Sequence, residues 1–247
     1  MADLTGKSAL VTGASAGIGA ATVRALAGAG AQVHAIARRA DRLDALAAET
    51  GCRAHAADVT DAQTRKRLTG EIAPDILVNN AGIGAGIGGL VAAEPEEIER
   101  TVTTNVTAVL HMLHAFLPGM IARKSGHVVT VGSVAGLYPT ISAIYGATKG
   151  AMRLMDQNLR LELRGTGIRV TEIQPGRVAT EFYEAAIPDT ERRDRLKLTG
   201  ITELAAEDVA AAILYAASAP PHVNVSTIEL QPVEQAFGGV FFDKIFE

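Results

Sequence analysis

The chain has 247 residues, 48% of them apolar and 20% charged, enough to bury a core of several layers. Lys and Arg number 23 against 27 Asp and Glu, a formal net charge of −4; without a basic face or a run of like charge, nucleic acid is not an expected partner. The single cysteine, Cys52, excludes an internal disulfide, and neither an export leader nor an apolar run near the roughly 20 residues that cross a bilayer is visible, so no membrane partner is expected and a cytoplasmic address is.

Residues 8–11 form an apolar run that reads as a buried strand, and a helical pattern follows over 18–29 until Gly30. The alternation then repeats, with strand 32–37, helix 41–50, strand 53–57, helix 61–72 and strand 75–79. A long helix starts at Pro95, the residue best tolerated in a first turn, with Glu96 and Glu97 complementing the positive end of the helix dipole. It runs past Phe116. Strand 127–131, helix 145–164, strand 168–174, helix 208–217 and strand 227–230 complete the series. Apolar strands alternating with helices predict an α/β fold: a single doubly wound Rossmann-type domain over 1–247, with a seven-stranded, mostly parallel sheet and helices on both faces. The glycine-dense loop 82–89 is expected to be mobile.

The first strand runs directly into Thr12-Gly13-Ala14-Ser15-Ala16-Gly17-Ile18-Gly19 and then a helix. A glycine-rich turn in that position lets a pyrophosphate sit on main-chain N–H groups at a helix N-terminus. Taken alone, the GxxxGxG spacing reads either as a dinucleotide seat or as a tight turn without a ligand. About 20 positions past the last glycine, where an acid would hold an adenosine ribose 2′-hydroxyl, stand Ala37, Arg38 and Arg39. Guanidinium groups in place of a carboxylate suit a 2′-phosphate, so NADP is expected and NAD is the less favoured cofactor. The alternative is a pair of solvated charges at a helix start.

Tyr145-Gly146-Ala147-Thr148-Lys149 puts a phenol and an ammonium on one helix face, one turn apart. Ser133 lies twelve residues upstream, just past the fifth strand, at the end of a parallel sheet where ligands bind. Hydride transfer to a carbonyl makes an alkoxide that must be protonated, and a tyrosine serves near neutral pH when a neighbouring cation lowers its pKa from about 10. Lys149 is placed to be that cation, and Ser133 to hydrogen-bond the substrate oxygen.

With these residues in order, and with Asp58-Val59, Asn79-Asn80-Ala81-Gly82, Asn105 and Pro175-Gly176 among them, the chain resembles the short-chain dehydrogenase/reductase family over essentially its whole length. The resemblance implies that Asn105, Ser133, Tyr145 and Lys149 are catalytic. It implies a cofactor seat of Gly13, Ser15, Gly17, Ile18, Gly19, Arg38, Arg39, Asp58, Val59, Asn80, Ala81, Gly82, Tyr145, Lys149, Pro175, Val178 and Thr180. Within that seat Asp58 would meet the adenine amino group, 80–82 the adenosine ribose, and Val178 and Thr180 the carboxamide, while Asn105 would hold a water relaying protons to Lys149. Segments 158–182 and 221–237 are similar to the branch that contains NADP-dependent 3-hydroxy acid, serine and related alcohol dehydrogenases.

The expected function is an NADP-dependent oxidoreductase moving a hydride between the nicotinamide and a small or medium hydroxy or carbonyl compound, a 3-hydroxy acid among the candidates. The alternatives are a carbonyl or aldehyde reductase for neutral substrates and a non-catalytic NADP-binding regulator. Arg177, directly after Pro175-Gly176, either pairs with an anionic substrate group beside Tyr138 and Tyr183, or points outward or pairs with a nearby acid such as Glu181. His111 and His114 stand at i, i+3 without a carboxylate and read as a polar patch, so no metal is expected. Residues 180–200 are expected to form a mobile substrate lid. Two helices are apolar most of the way round, and the tail 236–247 holds Phe237, Phe241, Phe242 and Phe246, four of the six phenylalanines. These lead to the expectation of a homo-oligomer, a tetramer by resemblance.

Overall fold

Ser8–Thr12 forms strand β1, buried from Ala9 onward. The sheet is completed by β2 (Gln32–Ala37), β3 (Arg53–Ala56), β4 (Ile76–Asn79), β5 (Gly126–Val131), β6 (Ile168–Pro175) and β7 (Thr227–Leu230). Their spatial order is β3-β2-β1-β4-β5-β6-β7 in one seven-stranded sheet, and every pairing is parallel. The computed structural model describes residues 2–87, 89–186, 190 and 200–235; the expected aromatic tail 236–247, and all of the expected lid except 180–186, 190 and 200, lie outside the described residues.

Helices α1 (Gly17–Gly28), α2 (Ala40–Thr50), α3 (Ala62–Glu71), α4 (Pro95–Val102), α5 (Ala108–Arg123), α6 (Ala143–Glu162), α7 (Phe182–Ala186) and α8 (Ala206–Ser218) accompany the strands. Successive strand residues point to opposite faces. Ala9, Val11, Val33, Ala35 and Val78 therefore meet Val23 and Leu26 of α1, Leu43 and Leu46 of α2, and Val209 and Ile213 of α8. Leu10, Leu77, Val128 and Val170 meet Leu68 of α3, Met112, Phe116 and Met120 of α5, and Met152 and Leu159 of α6. This is the doubly wound α/β arrangement that the alternating pattern predicts, with one core on each side of the sheet.

Two local features depart from the expected pattern. Helix α6 starts two residues early because Ser142 caps it, its Oγ accepting the Tyr145 N–H at 3.2 Å. A π-helical turn, Thr103–Thr107, joins α4 to α5, so that Pro95–Arg123 is one helical stretch long and apolar enough to cross a bilayer by length and composition. No short apolar run betrayed it, because Thr, Asn and His interrupt a segment that carries no charge between Arg100 and Arg123. Its buried Met112, Leu113, Phe116 and Met120 pack on the sheet, as in the core helix of a globular domain. In the loop after β4, Asn105 brackets Ile83, and Thr101 Oγ1 donates to the Ala85 carbonyl at 2.9 Å.

Two glycines of α1 separate a packing requirement from a neutral position. A Cβ at Gly19 would lie 2.3 Å from the Gly13 carbonyl oxygen, whereas one at Gly28 meets nothing within 4 Å. In urea denaturation, Gly19→Ala should lose about 1–3 kcal/mol through overpacking, while Gly28→Ala should gain up to about 1 kcal/mol from helix propensity. Equal effects at the two positions would contradict the close approach of α1 to the first turn.

Candidate active site

The chain leaves β3 and enters β4 on the far side of β1, so the carboxyl ends of β1 and β4 part at the sheet's topological switch point. Thr12 and Asn80 close the seam. Thr12 Oγ1 accepts the N–H groups of Asn80 and Ala81, both at 3.0 Å, and Asn80 Nδ2 donates to the carbonyls of Thr12 and Gly13 at 2.9 and 3.2 Å. Gly13, at φ +67°, must lack a side chain, since a Cβ there would come within 2.8 Å of Ala81 Cα. Beyond it, α1 opens at Gly17 with no side-chain cap from Ala16 and no acid in its first turn. Its first N–H groups therefore face the cleft without a capping oxygen, the donor set that a pyrophosphate needs.

The cleft above this seam has a volume of about 830 Å³. Every residue expected in the cofactor seat lines it, from Gly13 through Arg38, Arg39 and Asp58 to Thr180. Asp58 Oδ1 accepts the N–H and hydroxyl of Thr60 at 2.9 and 2.8 Å, which fixes the turn that presents it. The glycine cradle, the open helix end and the guanidinium groups all fit a phosphorylated dinucleotide.

Ser133, Tyr145 and Lys149 meet at the inner end of the cleft. Ser133 caps the short helix Val134–Gly136, its Oγ accepting the Ala135 N–H at 3.1 Å. Burial pushes the Tyr145 phenol above its ordinary range, and a hydrogen bond with Ser133 pulls it partly back. Burial therefore favours the neutral, donating O–H form of the phenol. Lys149 Nζ donates to the Val131 carbonyl at 2.9 Å and lies 5.6 Å from the centre of the Tyr145 ring. Burial pulls its ammonium down to about 8, and the Glu172 carboxylate pushes back.

Glu172 belongs to a buried acid pair that sequence reading missed. It stands on β6 beneath Gly132, where a Cβ would meet its Oε1 at 2.6 Å, and it accepts Gln174 Nε2 at 2.8 Å. Asp156, fully buried on α6, accepts the Thr130 hydroxyl at 3.1 Å. Burial and the neighbouring Glu172 raise Asp156 to about 8, with Arg160 and the Thr130 bond opposing. Burial also raises Glu172 against Gln174, Arg160, Arg153 and Lys149. Burial and the like charge of its neighbour thus favour the protonated form of Asp156 at neutral pH.

The remaining expected residues divide. Asn105, buried in the π-helical turn, spends its side chain on structure: Oδ1 accepts the Ile83 N–H at 2.8 Å, and Nδ2 donates to the Ile83 carbonyl at 2.9 Å and to Thr148 Oγ1 at 3.2 Å. Its side chain thereby clips Ile83 of the loop to α6. Tyr138, expected in the pocket wall, is outside the cleft lining; its hydroxyl bonds the Glu229 carboxylate of β7 at 3.2 Å. Arg177 and Tyr183 do line the cleft. Arg177 Nε donates to Glu203 at 2.8 Å, and Nη1 to the Tyr183 hydroxyl at 3.1 Å, so the acid it pairs with is Glu203 and not Glu181. Phe182 roofs the catalytic end, its ring centre 5.3 Å from that of Tyr145. Gln235, also unforeseen, accepts the Arg177 main-chain N–H at 2.8 Å and stands against Gly176.

The chain is similar in sequence and fold to known proteins. The short chain dehydrogenase family profile matches residues 7–191, and the chain belongs to that family. It is 39% identical over 240 residues to a serine 3-dehydrogenase of Rhizobium radiobacter, covering 93% of this chain and 95% of the relative. It is 37% identical over 241 residues to an NADP-dependent 3-hydroxy acid dehydrogenase of Salmonella typhi, covering 94% and 97%. Among solved structures, the closed form of serine dehydrogenase complexed with NADP+ superposes with a TM-score of 0.89 at 35% identity, over 94% of this chain and 98% of that one.

The buried acids make a stability prediction. Asp156 moves from an ordinary 3.8 to about 8 on folding, so between those values the folded protein keeps a proton that the unfolded chain has lost. Its contribution is most favourable below the lower value and declines as the pH rises through the upper one. Asp156→Asn, which keeps an acceptor for Thr130, should raise Tm more at pH 8 than at pH 5, by roughly 2–4 °C for each kcal/mol recovered. Thermal melts showing the same change at both pH values would contradict the assignment.

Proposed function

We propose that this chain is an NADP-dependent dehydrogenase that interconverts a small hydroxy acid with its oxo counterpart. The observation that carries the reading is one cleft with Ser133, Tyr145 and Lys149 at its inner end and Arg38 and Arg39 at the other side of the glycine turn. The relative named for NADP-dependent 3-hydroxy acid oxidation, and the NADP+ complex of serine dehydrogenase, support the cofactor and the substrate class.

The nicotinamide supplies or accepts the hydride when bound. The Ser133 hydroxyl and the Tyr145 phenol converge on the position of the substrate oxygen. In the oxidative direction Tyr145 takes the hydroxyl proton; in the reductive direction it returns one to the developing alkoxide. Burial alone opposes the phenolate, so the ammonium of Lys149 beside the ring supplies the positive charge that favours it. The Val131 carbonyl holds that ammonium in place, and Glu172 helps keep it charged. Phe182 and Tyr183 exclude water from the same end.

One observation favours the neutral-substrate reading: Glu203 already balances the Arg177 guanidinium, whose side chain is only 11% exposed. The reading as a homo-oligomer, a tetramer by family resemblance, draws support from Leu110 on α5 and Leu154 and Leu161 on α6, which are 46%, 58% and 65% exposed and form apolar surface suited to a partner. A cytoplasmic address agrees with the free, buried thiol of Cys52.

Tyr145→Phe should lower kcat by about 10² to 10⁴, the usual worth of general acid–base catalysis, while NADPH binding followed by fluorescence stays near wild type. A variant with wild-type kcat would overturn the mechanism. Arg177→Ala separates the two substrate readings: for a hydroxy acid KM should rise roughly 10- to 100-fold more than for its methyl ester, the worth of a charge-assisted contact. Equal losses for acid and ester would make Arg177 structural and favour neutral alcohols or aldehydes.

A further inference from the structure

Arg39, in the cleft wall, and Arg42 beside it share an acid from the far side of the sequence. Arg39 donates from Nη1 to Glu181 Oε2 at 3.0 Å, and from Nε to Ser15 Oγ at 3.1 Å. Arg42, one turn along α2, donates from Nη1 to both oxygens of the same carboxylate at 2.6 and 2.8 Å. Arg38, Arg39, Ser15 and Glu181 all line the cleft, whereas Arg42 stands behind that wall. Next to Glu181, Thr180 packs over the glycine turn, where a Cβ on Gly17 would lie 3.0 Å from its Cγ2. On the other side of Glu181, Phe182 opens α7 and puts its ring on Tyr145. A strap of seven residues, 180–186, thus joins the arginine pair to the roof over the reacting groups.

We propose that Glu181 is a built-in competitor for the cofactor's 2′-phosphate, holding the strap against Arg39 until the phosphate takes its place. The proposal rests on the NADP reading given above and adds to it a residue that sets cofactor selectivity and couples cofactor arrival to the strap. The two arginines hold Glu181 as a carboxylate, below its ordinary range, so it carries one negative charge. Its side chain is 50% exposed and those of Arg39 and Arg42 are 43% and 41% exposed, which makes the pairing a solvent-screened one that a stronger anion can displace. A 2′-phosphate brings close to two charges and three acceptor oxygens to the same guanidinium groups. A 2′-hydroxyl brings neither, so the unphosphorylated dinucleotide leaves Glu181 seated. Glu181 therefore costs NADP some affinity, and in return only the phosphorylated cofactor frees the strap.

The test uses the full-length protein and two fragments that stop short of the nicotinamide, 2′,5′-ADP and 5′-AMP, with titration calorimetry and hydrogen exchange as readouts. Wild type should bind 2′,5′-ADP more tightly than 5′-AMP, and Glu181→Gln should lower the Kd for 2′,5′-ADP by about two- to fivefold, the range of an exposed ion pair, with 5′-AMP unchanged. In wild type 2′,5′-ADP should raise amide exchange across 180–186 and 5′-AMP should not; in Glu181→Gln exchange there should already be raised in the free protein. A variant that binds 2′,5′-ADP no better than wild type, when wild type prefers it to 5′-AMP, overturns the competitor and leaves the cofactor reading standing. A wild type without that preference overturns the cofactor reading, and the competitor with it.

Discussion

Where two parallel strands part, their backbone groups lose partners, and a buried N–H or C=O without one is costly. In this protein the loss falls at the carboxyl ends of β1 and β4, and one hydroxyl and one carboxamide make it good. Thr12 Oγ1 takes two N–H groups, and Asn80 Nδ2 serves two carbonyls. That stitch locks the turn after β1 to the turn after β4. The position of the α1 N-terminus, the absence of side chains at Gly13 and Gly19, and the opening of the cleft all depend on it.

The second constraint is a buried ammonium. Lys149 is 7% exposed, and a lysine so placed needs compensation. It has the Val131 carbonyl at the head and the π-face of Tyr145 beside it, with the Glu172 carboxylate favouring its charged form. Glu172 is in turn restrained by Gln174 and set against Asp156. The chemistry at Tyr145 therefore rests on a polar interior that reaches from the cleft into the core between β5, β6 and α6. That interior lowers stability at alkaline pH in exchange for a charged lysine at the reacting end.

Much of this was legible in the sequence, for reasons that are local. The doubly wound parallel sheet follows from apolar runs alternating with helices, and the glycine turn, the Arg38-Arg39 pair and the Tyr145–Lys149 spacing each occupy a few consecutive residues. What escaped depends on contacts between distant segments. Glu181 reaches Arg39 and Arg42 across 142 and 139 positions, and nothing in its neighbourhood marks it as other than a solvated acid. Arg177 turned to Glu203, 26 residues on, because residues 177–179 pair with Leu204 through main-chain bonds that bring the two together. Tyr138 leaves the pocket because β7, which carries Glu229, lies at the sheet edge beside β6. Glu172 sits in a segment that reads as an apolar strand and Asp156 in a helix apolar most of the way round, and a single acid in such a segment does not reveal which way it faces. The only signal that could have found them is the register of β6, which places Glu172 on the face of α6.

The central claim is that this cleft moves a hydride between a hydroxy acid and NADP, with Tyr145 handling the proton. It is tested most directly by supplying the wild-type protein with NADP+ and a 3-hydroxy acid deuterated at its carbinol carbon, then reading the recovered NADPH by NMR. The account predicts deuterium on the nicotinamide ring, on one face only, and none released to water. NADP+ bound but never labelled, across 3-hydroxy acids and neutral alcohols alike, would contradict it.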